Sequence, residues 1–401
     1  MGVGRRRLLA RVEEGAHQMI SPSVWEYVGV LICCVGFTVF LTPLALRLAR
    51  RRNWMDKPGP GKSHSEAIPY LGGLAIVIAF SLVILVAGLV SHDGADTKAL
   101  AVTLALGVAL ALLGLIDDLR RLPVWLRFAF EIGAGVVVYA TGTRAHLAGA
   151  GLGLDAVVTV AWVVGITNAF NLLDNMDGLS AGVAAIASFW LFVVGVVNGQ
   201  YFVAILSLAL VGCAAGFLRH NRFPARIYMG DAGSLYLGFV LSVLALHLRS
   251  YASLRVTFLV PVMVLAVPIF DTALVVVARL FQRRSPFQGG RDHTSHRLVF
   301  LGLPVPAAVA LIYAFTMATG WLGVIMAQVS RGTSFLLAGW VAAIGLFLGV
   351  MLGIVPVYET SRRRHYMLQE VKTHEPEPMP HTEPGPRLPG FDEDTPENRS
   401  A

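Results

Sequence analysis

The stretch Asn168 to Leu179, NAFNLLDNMDGL, carries the densest chemistry in the chain. Two amides, Asn168 and Asn171, and two carboxylates, Asp174 and Asp177, stand where one strongly apolar run ends and the next is about to begin. Ionisable groups at membrane depth are expensive and generally line a substrate or ion path. The plainer alternative is a polar turn between two helices, with Asn168 and Asp174 as caps.

Four further clusters share this character. The loop over residues 47–68, with its run DKPGPGKSHSEAI, cannot be a continuous helix because of its Pro and Gly residues. Its Lys62 and His64 could meet a phosphate with Asp56 as partner, or the loop could be a basic segment drawn to anionic lipid. In LGLIDDLRR, Asp117 and Asp118 are adjacent carboxylates at a span edge. Two like charges there raise one another's pKa unless a cation intervenes. They read as metal ligands or a general base, or else as a helix end paired with Arg120 or Arg121. In NRFPARIYMGDAGSLYLG, Asn221, Arg222 and Tyr228 precede Gly230 and Asp231. Asp231 could cap the helix that follows. A helix start beside a carboxylate can hold a magnesium-bound phosphate, the amides facing the anion and the carboxylate the cation.

The last cluster is RRSPFQGGRDHTSHRLVFLG, where His293, His296 and Arg297 lie close together beside Asp292. No cysteine or further histidine completes a zinc set, so a phosphate or sugar contact is the better reading. Asp271, inside the preceding apolar run, is either functional or paired with Arg279 two turns later.

These clusters need a scaffold, and composition names it. Of 401 residues, 55% are hydrophobic and only 14% charged, against about 25% charged in a soluble domain. Apolar runs long enough to cross a bilayer recur along the length. The pattern predicts an all-α polytopic membrane protein with about eleven spans. They are placed at 24–46, 69–90, 99–116, 124–141, 155–167, 180–197, 201–218, 233–248, 256–280, 304–327 and 334–357. The fifth is short, tilted or partly broken. Residues 1–23 form an N-terminal tail, 24–357 the membrane domain and 358–401 a disordered tail rich in Pro, Glu and His. Cys33, Cys34 and Cys213 all fall within apolar runs and read as small core residues. The net charge of +7 is dispersed among loops and reports topology rather than nucleic-acid binding. Alternate loops are rich in arginine, which places all five polar clusters and the C-terminus in the cytoplasm. Arg5, Arg6, Arg7 and Arg11 argue the other way for the N-terminus.

Five pieces, DKPGPGKSHSEAIPYLGG, IDDLRR, NAFNLLDNMDGLSAG, NRFPARIYMGDAGSL and DHTSHRL, occur in order on alternate loops across roughly residues 47 to 300. In them the chain resembles the polyprenyl-phosphate N-acetylhexosamine-1-phosphate transferases. DHTSHRL is most similar to the His-x-His-His-Arg pattern of the N-acetylglucosamine branch, with Ser295 in place of the middle histidine. Asn175 stands where many members have glycine.

The resemblance implies a transferase in the bacterial plasma membrane, working at the cytoplasmic face. Its partners would be a UDP-N-acetylhexosamine, a polyprenyl phosphate and the membrane, with no nucleic acid, and dimeric relatives imply a homodimer. Asp231 would hold Mg2+ or Mn2+ with Asn171 as a second oxygen ligand. Asp117 would activate or orient the lipid phosphate, with Asp118 beside it or near the metal. Asp177, Asn221 and Tyr228 would receive the uridine, Asp174 would orient the pocket and Asn168 would contact substrate. Lys62, His64, His293, His296 and Arg297 would contact phosphates or sugar. The rival readings are a phospho-N-acetylmuramoyl-pentapeptide transferase, a membrane transferase with other Asp-rich magnesium sites, and a non-enzymatic transporter. No repeat between the halves supports the transporter.

Overall fold

Helices account for nearly all regular structure in the computed structural model, which describes residues 24–56, 67–90, 97–145, 151–248, 258–287 and 289–357. The two expected tails, 1–23 and 358–401, lie outside the described residues. In chain order the helices are α1 (Val24–Arg52), α2 (Gly72–Val90), α3 (Thr97–Arg120), α4 (Val124–Ala140), α5 (Leu152–Leu173), α6 (Leu179–Val197) and α7 (Tyr201–Asn221). They continue as α8 (Gly230–His247), α9 (Leu259–Val264), α10 (Ala266–Phe281), α11 (Thr294–Phe300), α12 (Val305–Met326) and α13 (Arg331–Gly353).

Nine of these, among the described residues, are long and apolar enough to cross a bilayer. The chain is therefore an all-α polytopic membrane protein, but two of the eleven expected spans differ in kind. α4 has only 17 residues. The ninth expected span, 256–280, is divided at Leu265 into α9 and α10. Pro268 accounts for the break: its ring clashes with the carbonyl four residues earlier and it offers no N–H there.

The fifth expected span also needs correction. It is neither short nor broken: α5 runs unbroken for 22 residues and carries the helix through Asn168 and Asn171. Amides tend to end helices by competing with the backbone. Here tertiary partners engage them, Glu131 for Asn168, which also donates to the Val164 carbonyl one turn back on α5, and Asp231 and Ser234 for Asn171.

α7 and α8 form the centre, where 72% and 83% of the apolar window is buried. α8 packs against α2, α3 and α5, and α7 against α1 and α6. The periphery is the reverse: only 6% of the α13 window is buried. A helix that is apolar and exposed all round is one that hydrocarbon must cover.

Among the described residues, one end of the bundle gathers the polar clusters. A two-stranded antiparallel pair, β1 (Met55–Asp56) and β2 (Ile68–Pro69), leads into α2. Tyr228 donates its N–H to the Pro69 carbonyl, while Gly72 and Gly73 donate to the Tyr228 and Met229 carbonyls. Backbones approach this closely only because a side chain is missing: a Cβ on Gly73 would lie 2.3 Å from the Gly233 nitrogen. Lys62 and His64, in the loop between the strands, lie outside the described residues.

Candidate active site

Arg127 sits at the centre of the polar end, and three helices supply its partners. Its Nη1 donates to Asp117 Oδ2 at 2.8 Å and to Asp231 Oδ2 at 3.2 Å. Its Nη2 donates to Asn171 Oδ1 at 2.9 Å. Asn171 in turn donates to Asp231 Oδ1 at 2.8 Å and to Ser234 Oγ at 3.0 Å. Two carboxylates and an amide oxygen, from α3, α8 and α5, thus converge on one positive group. Carboxylate and carbonyl oxygens are the ligands a hard divalent cation takes, and these already hold one positive group. The set therefore fits such an ion, although among the described residues no three His, Cys, Asp or Glu side chains make a metal cluster by themselves.

The structure brings Asp117, Asn171 and Asp231 together around Arg127. Asp118 is placed differently. Its Oδ1 accepts from the Asp231 N–H at 3.1 Å and its Oδ2 from the Ala232 N–H at 3.4 Å. The cap of α8 is thus Asp118, reaching across from α3, and not Asp231 as the sequence suggested. This frees the Asp231 carboxylate to face Arg127 and Asn171. Neither aspartate pairs with Arg120 or Arg121: the Asp117 Oδ1 accepts from the Leu122 N–H at 2.6 Å, which folds the chain back after α3.

The residues expected to meet uridine divide into two groups. Asn221 is buried, with its Oδ1 accepting from the Gly178 N–H and its Nδ2 donating to the Ile227 carbonyl, both at 3.0 Å. Asp177 Oδ2 accepts from the Ala225 N–H at 2.8 Å. These two side chains staple the 222–228 loop to the turn after α5. Gly178 makes that turn at φ +75°, and its carbonyl accepts from the Tyr313 hydroxyl at 2.5 Å. Asp174 and Tyr228 are the partly open pair on the same loops. Burial, then the Asp231 and Asp177 carboxylates, pushes the Asp174 carboxyl up to about 7. Burial likewise raises the Tyr228 phenol. Asn168 lies deeper than expected: its amide donates to Glu131 and to the Val164 carbonyl at 2.9 Å, not to the convergent set.

The histidine cluster forms a second tier, built on buried ion pairs. Asp271 accepts from the Thr294 N–H at 2.6 Å and lies 2.8 Å from His293 Nδ1, so an acid in α10 caps α11. Arg279 makes a two-pronged bond to Asp292, at 2.8 Å on both arms. The alternative of an Asp271–Arg279 pair is therefore corrected: Asp271 partners His293. Arg297 is 1% exposed and donates to the carbonyls of Asp292 and Leu352, both at 2.7 Å, which places it in the frame of the loop rather than on an open surface. His296 is only half-buried, and burial followed by the neighbouring His293 and Arg291 lowers its imidazole to about 4. It stays neutral near pH 7. The Ser295 hydroxyl joins this tier to the turn after α5 through Asn175.

Sequence reasoning missed Arg127 and Glu131. Glu131 is fully buried on α4 beside Asn168. Both are ionisable residues inside one of the expected spans, the signal that singled out Asp271. Next to them an apolar groove of about 560 Å³ separates α4 from α5, lined by Ile132, Val136, Val157, Val160 and Val164 among others. Ile132, Val136 and Val157 are 46%, 51% and 63% exposed, so the groove opens toward lipid.

The fold and site define a polytopic membrane protein with an acidic polar site built around one arginine at one end of its bundle. Residues 100–249 match the model of glycosyl transferase family 4. The chain is 32% identical over 304 residues to a Bacillus subtilis protein named "Probable undecaprenyl-phosphate N-acetylglucosaminyl 1-phosphate transferase", covering 74% of this chain and 83% of that one. It is also 32% identical over 360 residues to the decaprenyl-phosphate N-acetylglucosaminephosphotransferase of Mycolicibacterium smegmatis, covering 80% and 86%. A Clostridium botulinum phospho-N-acetylmuramoyl-pentapeptide-transferase is 28% identical over 260 residues, 58% of this chain and 76% of that one. The chain belongs to glycosyl transferase family 4.

Proposed function

We propose that this protein transfers N-acetylglucosamine 1-phosphate from UDP-N-acetylglucosamine to a polyprenyl phosphate. It does so at the cytoplasmic face of a bacterial plasma membrane. An oxygen of the lipid phosphate bonds to the β-phosphorus, and the bond from that phosphorus to the bridging oxygen breaks, so that UMP leaves. The observation that carries this reading is the convergence of Asp117, Asn171 and Asp231 on one cation at the membrane edge. Nucleophile and diphosphate are both anionic, and phosphoryl transfer asks mainly for positioning and charge neutralisation.

Asp117, Asn171 and Asp231 would hold Mg2+ or Mn2+, which when bound supplies positive charge to the diphosphate and the attacking phosphate. Arg127 brings a second cation to the same anions. Asp117, at the end of α3, stands where a lipid headgroup reaches it and orients the attacking phosphate. The groove between α4 and α5 leads to this point. Val164 lies one turn before Asn168 and two before Asn171, and Ile132 follows Glu131, so a prenyl chain in the groove delivers its phosphate to Arg127. Asp174 and Tyr228 offer the uridine a pocket whose walls Asp177 and Asn221 hold in place. His296, neutral, accepts or donates a hydrogen bond at the sugar.

The donor choice follows the named relatives and the compact loop 282–302, which leaves a pentapeptide little to bind. Purified protein in lipid nanodiscs is to be given UDP-N-acetylglucosamine and undecaprenyl phosphate, and UMP measured. UMP release that requires both substrates is the expected result. Release only with the muramoyl-pentapeptide donor would shift the branch, and substrate uptake without UMP would favour a transporter.

A further inference from the structure

Arg127 holds the place that a divalent cation would take, so such an ion binds only if the guanidinium leaves. Its Nη1 bridges Asp117 and Asp231, and its Nη2 engages the Asn171 carbonyl oxygen, the very oxygens a cation needs. Where it could go is marked by another buried side chain. Glu131 follows Arg127 by four residues on α4, a spacing that puts both on one helix face. Glu131 is 0% exposed; its Oε2 accepts from the Asn168 amide, while its Oε1 has no hydrogen-bond partner. A buried carboxylate oxygen left without a partner carries an uncompensated desolvation penalty. The Arg127 guanidinium is near enough to Glu131 to act on it electrostatically.

Charge points the same way. Asp117, Asp231 and Glu131 outnumber the one guanidinium among them, so the set leaves negative charge for a divalent cation. With the cation on Asp117 and Asp231, the remaining charged pair in the set is Arg127 and Glu131.

We propose that Arg127 is a resident counter-cation with two seats. Without a divalent ion it bridges Asp117 and Asp231 and offsets part of their charge; when the ion binds, it withdraws along α4 to the open oxygen of Glu131. Glu131 is then a positioning residue, acting on the ion only through Arg127. The exchange keeps a cation between the two carboxylates at every stage, which lessens their repulsion in the free protein. It also leaves a guanidinium at the mouth of the apolar groove while the ion is bound. This inference rests on the metal reading given under Proposed function.

The test uses Mn2+ as the probe, with its affinity for the full-length purified protein read by electron paramagnetic resonance of the free ion. Arg127→Gln removes the competitor and is expected to tighten Mn2+ binding by roughly tenfold. Glu131→Gln removes the second seat and is expected to weaken binding by roughly five- to tenfold. In the Arg127→Gln background, Glu131→Gln is expected to have no effect, because no guanidinium needs a seat. If Glu131→Gln fails to fold, Glu131→Asp, which withdraws the oxygen by one methylene, is measured in both backgrounds with the same expectation. Equal weakening by the Glu131 variant in both backgrounds, or weaker Mn2+ binding in Arg127→Gln, overturns the exchange and leaves the metal site standing. Wild-type protein that binds no Mn2+, or that binds it equally after Asp231→Asn, overturns the metal reading and the exchange with it.

Discussion

The Ser295 hydroxyl donates a 2.6 Å hydrogen bond to the side-chain carbonyl of Asn175. These are the two positions at which the sequence departs from the pattern it otherwise resembles, and they touch. Asn175 is tied in turn to the end of α5 through its amide, which donates to the Leu172 carbonyl at 2.8 Å. Ser295 is 1% exposed and lies directly before His296. The pair therefore fixes the histidine tier to the aspartate turn, and the two departures act as one. A buried hydrogen bond is worth about 1 to 1.5 kcal/mol, or roughly five- to tenfold in rate or affinity. Ser295→Ala and Asn175→Gly should each reduce kcat/KM for the UDP-sugar by about that factor, and the double variant should lose no more than either single one. Losses that multiply would show that the two residues act independently.

The span positions and the five clusters were legible because hydropathy and sidedness need no tertiary information. Their gathering at one bundle end follows from the alternation of loops. What the sequence could not tell was which polar group each side chain would choose. Asp231 stands at the start of α8 and Asp118 at the end of α3, so the sequence offers Asp231 as the cap; only the packing of α3 on α8 gives that place to Asp118. Asn168 and Asn171 lie three residues apart on α5, yet one faces Glu131 and the other Asp231. Arg127 was hidden because it stands alone at the edge of an apolar run, ten residues after the carboxylate it pairs with.

The proposed roles of Asp231 and Asp117 separate kinetically. Asp231→Asn keeps shape but loses the charge that a hard cation requires, so turnover should fall by roughly two orders of magnitude or more with Mn2+ affinity lost in parallel. Asp117→Asn should lower kcat far more than it raises the KM for UDP-N-acetylglucosamine, because beside its share of the ion it orients the lipid phosphate. A steady-state comparison of both variants decides this; a pure KM effect for Asp117→Asn would move it to the nucleotide pocket.

Asp174 offers a pH test without any substrate. Its carboxyl is held at about 7, above its ordinary value, so the folded state keeps a proton that the unfolded chain has released. Stability therefore falls as pH rises from about 4 to about 7, and the loss is complete above that. Asp174→Asn removes a group that is ionised and buried at high pH. In metal-free detergent solution, its gain in Tm over wild type should grow between pH 4 and pH 7 and then level off. A gain independent of pH would mean that Asp174 is not protonated in the fold.

The sidedness of the site is open to labelling. With Cys33, Cys34 and Cys213 replaced, single cysteines at Arg226 and Arg283, both exposed at the polar end, should resist an impermeant thiol reagent added to intact cells. A cysteine at Val197, exposed near the opposite end of α6, should react. Labelling in the reverse pattern would turn the protein over and place the site outside.

Close approach of α3 to α8 is what lets one helix end supply both a ligand and a cap, and Gly114 is the residue that permits it. A Cβ at Gly114 would lie 2.5 Å from the carbonyl carbon and oxygen of Asp231 and 2.6 Å from the Ala232 nitrogen. All three contacts are backbone, so no side chain can swing away, and the helices must part. Overpacking of this kind costs about 1 to 3 kcal/mol. It would also draw the Asp118 carboxylate off the α8 amides and Asp117 off the oxygens around Arg127. Gly114→Ala should therefore lower Tm and reduce UMP release together. Gly133→Ala, on α4 with nothing within 4 Å of the added carbon, should leave activity unchanged and, by favouring helix, hold or raise Tm. If both variants behaved alike, the tight α3–α8 crossing would not be what positions the carboxylates.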